Sequence, residues 1–304
     1  RRLVPGYEAP TNIAWARRLE DAGVHVVYGL AGLKTHAKLL LVIRREPAGI
    51  RRYVHLATGN YNESTARLYT DLSFFTCDEL LGDDAAQLCN LLTGFTWPRA
   101  WNRLVIAPLD LRQKLLALIA REEDNATKGQ KGEITAMMNS LADDTIMRAL
   151  CRASAAGVRV RLIVRGIAML RPGLPGISEN ITIRSLVGRY LQHARICRFH
   201  NGGADEYWLS SADWMPRNLT RRIEAFFPVR APDLKKFLGD CLRLFFADTV
   251  NAWEMEPAGT WRKIETEPAV DSFAELYALV RNRETVPDED VRPVFVPVSR
   301  SDAE

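Results

Sequence analysis

The residues best suited to chemistry fall in two similar groups. The first is Gly32-Leu33-Lys34-Thr35-His36-Ala37-Lys38, followed by the apolar run Leu39-Leu40-Leu41-Val42-Ile43. Two residues apart at the head of a strand, His36 and Lys38 point to one face, which sets an imidazole nucleophile beside a fixed positive charge. Such a pair suits phosphate. The second group is His193-Ala194-Arg195, again opening a strand-like run. Arginine is dense near both, at Arg51-Arg52, between Arg159 and Arg165, and between Arg217 and Arg222. An anionic ligand explains these clusters; solvated surface arginine is the competing reading. The remaining histidines, His25, His55 and His200, sit in strand contexts and read as structural.

The elements that must carry these groups follow one plan twice. In each half a His-Ala-cation strand, a turn and a returning strand lead to an asparagine-containing loop, and then to a strand with arginine near its start. The first loop is residues 58–62, with Arg67 following. The second is residues 210–218, with Arg221 and Arg222 following. The span from His36 to Asn60 nearly equals that from His193 to Asn218, so the match reads as an internal repeat built to bring two histidines together.

Periodicity fills in the frame. Residues 12–22 recur at helical spacing, Gly23 ends that helix, and residues 24–28 read as a strand. Strands are expected at 37–45, 52–57 and 69–76, and a helix at 78–92. The stretch 96–110, with Pro98 and Pro108, is the best domain boundary. Beyond it helices are expected at 111–123, 143–155 and 233–246, and strands at 134–138, 158–164, 181–185, 195–199, 207–209 and 222–229. Residues 170–180, rich in Pro and Gly, form a loop after a strand, where α/β proteins place ligand contacts. One further helix is expected at about 271–280, and the acidic, proline-containing end reads as poorly ordered.

Bulk properties narrow the class. At 304 residues the chain holds about two domains. A formal charge of +4 gives little support to a nucleic-acid role. Five cysteines without C-x-x-C spacing read as reduced thiols, no apolar stretch reaches a membrane span, and the cytoplasm is the default location, with peripheral membrane association left open.

The paired H-x-K and H-x-R motifs resemble the two half-sites of the phospholipase D superfamily, which meet across a pseudo-twofold axis. In that superfamily an aspartate follows the lysine within the strand, whereas neither half has an acid there. The stretches GLKTHAKLLLVIRRE, YVHLATGNYNESTARLYTDLS, LIVRGIAMLRPGLPGISENI and YWLSSADWMPRNLTRRIE resemble bacterial polyphosphate kinase of the large, histidine-phosphorylated type, from about Asn12 to Phe246. The resemblance implies an α/β fold of two phospholipase D-like domains. Residues 1–103 would be a first domain truncated at its N-terminus, residues 104–285 a second, and residues 286–304 a disordered tail. It implies catalytic roles for His36, as the phosphorylated residue, and His193. Tyr69, Arg165 and His193 would contact ATP, with Lys38 and Arg195 in the same anion pocket and Arg67, Arg217 and Arg222 as secondary cations. Asp71 and Glu224 could orient those cations or assist a histidine. The family's basic residue is replaced by Met137. The implied substrates are ATP or ADP and inorganic polyphosphate. Mg²⁺ is expected from the family, with no ligands identifiable in this chain. A homo-oligomer is compatible with the family. Two other readings stand beside this one: a phospholipase D-like phosphodiesterase or nuclease, and a non-catalytic fragment that binds polyphosphate or nucleotide.

Overall fold

The computed structural model describes residues 9–30, 32–94 and 100–282; the tail expected at 286–304 lies outside them. In chain order the first half comprises α1 (Ala9–Asp21), β1 (Lys34–Thr35), β2 (Lys38–Glu46), β3 (Gly49–Ala57), α2 (Glu63–Ala66), β4 (Tyr69–Thr70), β5 (Ser73–Thr76) and α3 (Glu79–Gly94). The second half opens with β6 (Val105–Ala107), α4 (Leu111–Thr127), β7 (Glu133–Met138), α5 (Asp144–Ala155), β8 (Arg159–Val164), β9 (Ile181–Leu186) and β10 (Leu191–Gln192). It continues with β11 (Ile196–Phe199), β12 (Glu206–Ser210), α6 (Pro216–Arg221), β13 (Arg222–Val229), α7 (Pro232–Ala247), β14 (Ala252–Met255), β15 (Trp261–Lys263) and α8 (Ser272–Arg281).

The second half is built on a sheet ordered β1-β13-β12-β11-β7-β8-β9-β14-β15, with β6 also paired to β13. β7, β8 and β9 run parallel, the arrangement that the helix-Gly-strand spacing of this half requires. The buried run Glu133–Met138 is buried at every position, as befits a central strand covered on both faces. One core, including Leu115, Ile119, Ile146, Leu150 and Val160, lies between the sheet, α4 and α5. The other core joins the halves, because Val54, Leu56 and Leu88 of the first pack with Ile223, Phe227 and Leu242 of the second. Across this seam Phe74 stacks on Phe227 with ring centroids 5.8 Å apart. Each fully buried large apolar side chain there stabilises the docking by roughly 1.5–3 kcal/mol, so the halves form one body.

Two short pairings fix the seam more finely. β1 adds in parallel to the edge of β13, and β4 pairs in parallel with β10. Both are first-half strands laddered to second-half strands.

The expected strand at residues 24–28 does not form. Val24, Val27 and Tyr28 are 47, 39 and 73% exposed, and the segment has no ladder partner among the described residues. β propensity without a neighbouring strand to pair with does not make a strand. The expected strand at 69–76 is broken at Asp71 and Leu72, the expected loop at 210–218 contains the first half of α6, and α2, β1, β6, β10, β14 and β15 fall outside the expected elements. Short strands and four-residue helices lack the length that makes periodicity readable.

Candidate active site

The β1–β13 ladder brings the first histidine to its partner. The backbone N–H groups of His36 and Ala37 both donate to the Ile223 carbonyl at 2.9 Å. One residue further along β13 stands Glu224, fully buried. Its carboxylate accepts from His36 Nδ1 at 2.8 and 2.9 Å, from Ser211 Oγ at 2.5 Å and from Asn218 Nδ2 at 2.7 Å. With only acceptor oxygens facing it, Nδ1 carries the proton, which leaves the Nε2 lone pair outward. Nε2 has no hydrogen-bond partner among the described residues, and the side chain keeps 19% of its exposure. Burial lowers the His36 pKa, with smaller lowering by Lys38 and Arg222, and this outweighs the raising effect of Glu224. The imidazole is therefore neutral at neutral pH.

His193 has the converse arrangement. It follows β10, its N–H donates to the Thr70 carbonyl at 3.1 Å, and its Nδ1 bonds Asp71 Oδ1 at 2.8 Å. Thus the carboxylate for each imidazole comes from the opposite half. Thr58 Oγ1 holds Asp71 at 3.0 Å, and a Cβ on Gly59 would meet the Asp71 Cγ at 2.3 Å, so only glycine fits there. The Tyr69 ring lies against His193 with centroids 5.1 Å apart. Unlike His36, His193 has both nitrogens engaged, because Arg195 Nη1 lies 3.1 Å from Nε2.

Arg195 is committed to the protein. Its Nε and Nη2 each reach Asp213 at 3.2 Å, and Nη1 also donates to the carbonyls of Thr58 at 3.2 Å and His193 at 2.8 Å. Burial alone would raise the Asp213 pKa; the charge and hydrogen bonds of Arg195, with those of Asn139, outweigh it and hold the carboxyl below its usual range. Asn139, at the end of β7, donates from its backbone to Asp213 at 2.8 Å and accepts from Arg165 Nε at 2.8 Å. Arg165 thereby stands at the rim of the site, and its two terminal nitrogens have no hydrogen bond among the described residues.

Lys38 is 5% exposed and its Nζ donates to the His36 carbonyl at 2.6 Å. Burial is the main cause of its lowered pKa of about 8; Arg195 and Arg222 lower it further, while Glu224 and Asp71 oppose.

His36, Lys38, Tyr69, Arg165, His193 and Arg195 thus converge on one seam. Arg222 also approaches, 4.0 Å from Glu224. Arg67 does not: it bonds Glu63 at 2.9 Å on the surface, 76% exposed. Arg217 is exposed as well. Of the paired asparagines, Asn218 is buried against Glu224, while Asn60 is exposed and its neighbour Asn62 caps α2 instead. Met137 is buried in the core shared by the halves. No motif in the sequence marks Asp213, Asn139, Ser211 and Thr58 as site residues, because their partners lie on other elements, 13 to 74 residues away. Among the described residues no group of three or more His, Cys, Asp or Glu side chains could hold a metal ion.

Comparison with known proteins agrees in both halves. The family described as Polyphosphate kinase C-terminal domain 1 matches residues 4–98, and Polyphosphate kinase C-terminal domain 2 matches residues 104–274. The chain is 49% identical over 290 residues to the polyphosphate kinase of Synechocystis, covering 95% of this chain and 40% of that protein. It is 51% identical over 259 residues to that of Rhodopirellula baltica, covering 85% of this chain and 30% of that protein. The crystal structure of the Porphyromonas gingivalis polyphosphate kinase superposes with a TM-score of 0.85 at 37% identity, covering 90% of this chain and 42% of that one. The chain therefore spans less than half the length of these relatives. With both C-terminal domains matched in order and the fold shared, the chain belongs to the polyphosphate kinase family.

Proposed function

We propose that the chain carries the phosphoryl-transfer centre of an ATP:polyphosphate phosphotransferase, working through a phosphohistidine on His36. The observation that carries this is the contrast between the two imidazoles. His36 has Nδ1 fixed on a buried carboxylate and Nε2 without a hydrogen bond among the described residues, whereas Nε2 of His193 is met by Arg195.

In the first step the Nε2 lone pair of His36 attacks the γ-phosphorus of ATP. The N–P bond forms, the bond to the β,γ-bridging oxygen breaks, and ADP leaves with that electron pair. Phosphorylated Nε2 makes the ring cationic, and Glu224 stabilises it through the Nδ1 proton. In the second step a terminal oxygen of polyphosphate attacks the same phosphorus, and the N–P electrons return to Nε2. Lys38, Arg165 and Arg222 supply charge for the equatorial oxygens of the transferring group. His193, held by Asp71 and backed by Tyr69, hydrogen-bonds the leaving or attacking oxygen once a ligand displaces the Arg195 contact. The reaction is reversible by the same path.

ATP or ADP and inorganic polyphosphate are the substrates on this reading, and the location is cytoplasmic. No helix among the described residues is long and apolar enough to cross a membrane.

Incubation with γ-labelled ATP tests the assignment. An acid-labile, base-stable label is expected on the wild-type chain and on His193→Ala at a reduced rate, and none on His36→Ala. A label that persists in His36→Ala removes the proposal.

A further inference from the structure

A cavity of about 1170 Å³ opens at the other end of the large sheet. β13 meets the histidine site at Glu224 and the cavity at Pro228 and Val229; β12 meets the cavity at Tyr207 and Trp208 and the site near Ser210. At about 3.3 Å per strand residue, Pro228 and Val229 lie roughly 13–17 Å along β13 from Glu224, and none of the residues that build the histidine site lines the cavity.

Its charge is unbalanced. Lys114, Arg230 and Lys235 line it, and none forms an ion pair with a carboxylate among the described residues. The Lys114 ammonium lies 5.1 Å from the Trp208 ring centroid, and Lys235 donates to the backbone carbonyl of Asp205 at 2.8 Å. Of the two lining carboxylates, Glu206 is taken by Arg121 at 2.9 Å, and Asp110 precedes α4 without a side-chain capping bond. The fourth lining cation, Arg103, is paired with Asp78, so three unpaired cations face one free carboxylate. Their placement sharpens the point. Lys114 and Lys235 each occupy the fourth position of a long helix, α4 and α7, and Arg230 sits just ahead of α7. Backbone N–H groups already make helix N-termini positive, so cations there are unfavourable unless an anion joins them.

We propose that this cavity is a second binding site for condensed phosphate, either the phosphates of a nucleoside triphosphate or a run of free polyphosphate. Its volume exceeds the roughly 300–1000 Å³ common for small-molecule pockets and accommodates several linked phosphates. Among the described residues no histidine, cysteine or serine lines it, and its assigned role is to hold its ligand. It does not depend on the histidine chemistry.

Calorimetry of the chain in a His36→Ala background, which stops turnover, tests this with tripolyphosphate and ATP as separate probes. Two classes of site are expected for one or both probes, and the probe that shows the second class identifies the source. Lys114→Glu with Arg230→Glu should weaken that class on the order of 100-fold, tenfold per lost cation contact, and leave phosphoenzyme formation intact when His36 is restored. Arg165→Ala should affect only the other class. The milder Lys114→Met with Arg230→Met, checked for an unchanged melting midpoint, should show the same loss. Binding of neither probe, a single class abolished by Arg165→Ala, or titrations unchanged by both cavity variants overturns the proposal.

Discussion

Replacing Glu224 by glutamine probes the site with almost no change of shape. The carboxylate is fully buried and receives His36 Nδ1, Ser211 Oγ and Asn218 Nδ2. Glutamine offers a single acceptor oxygen. If that oxygen stays with Ser211 and Asn218, its amide N–H faces His36 Nδ1 and drives the ring proton to Nε2, which removes the nucleophilic lone pair. If it turns to His36, two buried donors face an N–H instead. The lost charge-assisted bond alone contributes about 1.5–3 kcal/mol, or roughly 10- to 150-fold in rate, and the wrong tautomer adds to it. Glu224 also raises the His36 pKa against the dominant effect of burial, so its removal moves the acid limb of the rate profile to lower pH. Single-turnover labelling with γ-labelled ATP across pH, with melting curves as a control, measures both quantities. A labelling rate within twofold of wild type, or an acid limb that moves up in pH, refutes the reasoning.

Lys38 is cationic below its pKa of about 8 and loses its charge as pH rises through that value. Transfer should therefore fall above pH 8, and Lys38→Met should abolish that alkaline limb while lowering the plateau about tenfold, read from a pH series of initial rates. Gly59→Ala drives a methyl group into Asp71 and should disorder His193. Steady-state kinetics should show a kcat loss of roughly 10- to 100-fold, with labelling of His36 retained; an unchanged kcat would mean that Asp71 does not position the second histidine.

The sequence reveals what is local. The helix-Gly-strand spacing around Gly157 and the apolar run of β7 identify a parallel layer, and the repeated His-Ala-cation motif marks both histidines. The four cation and aromatic partners, Lys38, Tyr69, Arg165 and Arg195, fall at the same seam because each ends or opens a strand there. What could not be read is pairing across distance. Each strand motif lacks an acid because its carboxylate comes from the other half, 188 residues away for His36 and 122 for His193. Arg195 reads as an anion ligand in one dimension, yet Asp213 occupies it in three. Residues 24–28 have the composition of a strand and no neighbour to pair with, a fact of tertiary context that composition does not encode.

The exchange of carboxylates between halves also bears on how such a chain is made. A ribosome releases His36 long before it has polymerised Glu224, so the imidazole first emerges with no fixed tautomer and no buried counter-charge. Its ring proton is placed only when β13 has formed and β1 has joined its edge. Assembly of β13 thus completes a motif made some 188 residues earlier, and on the proposed mechanism an unfinished chain would transfer no phosphate.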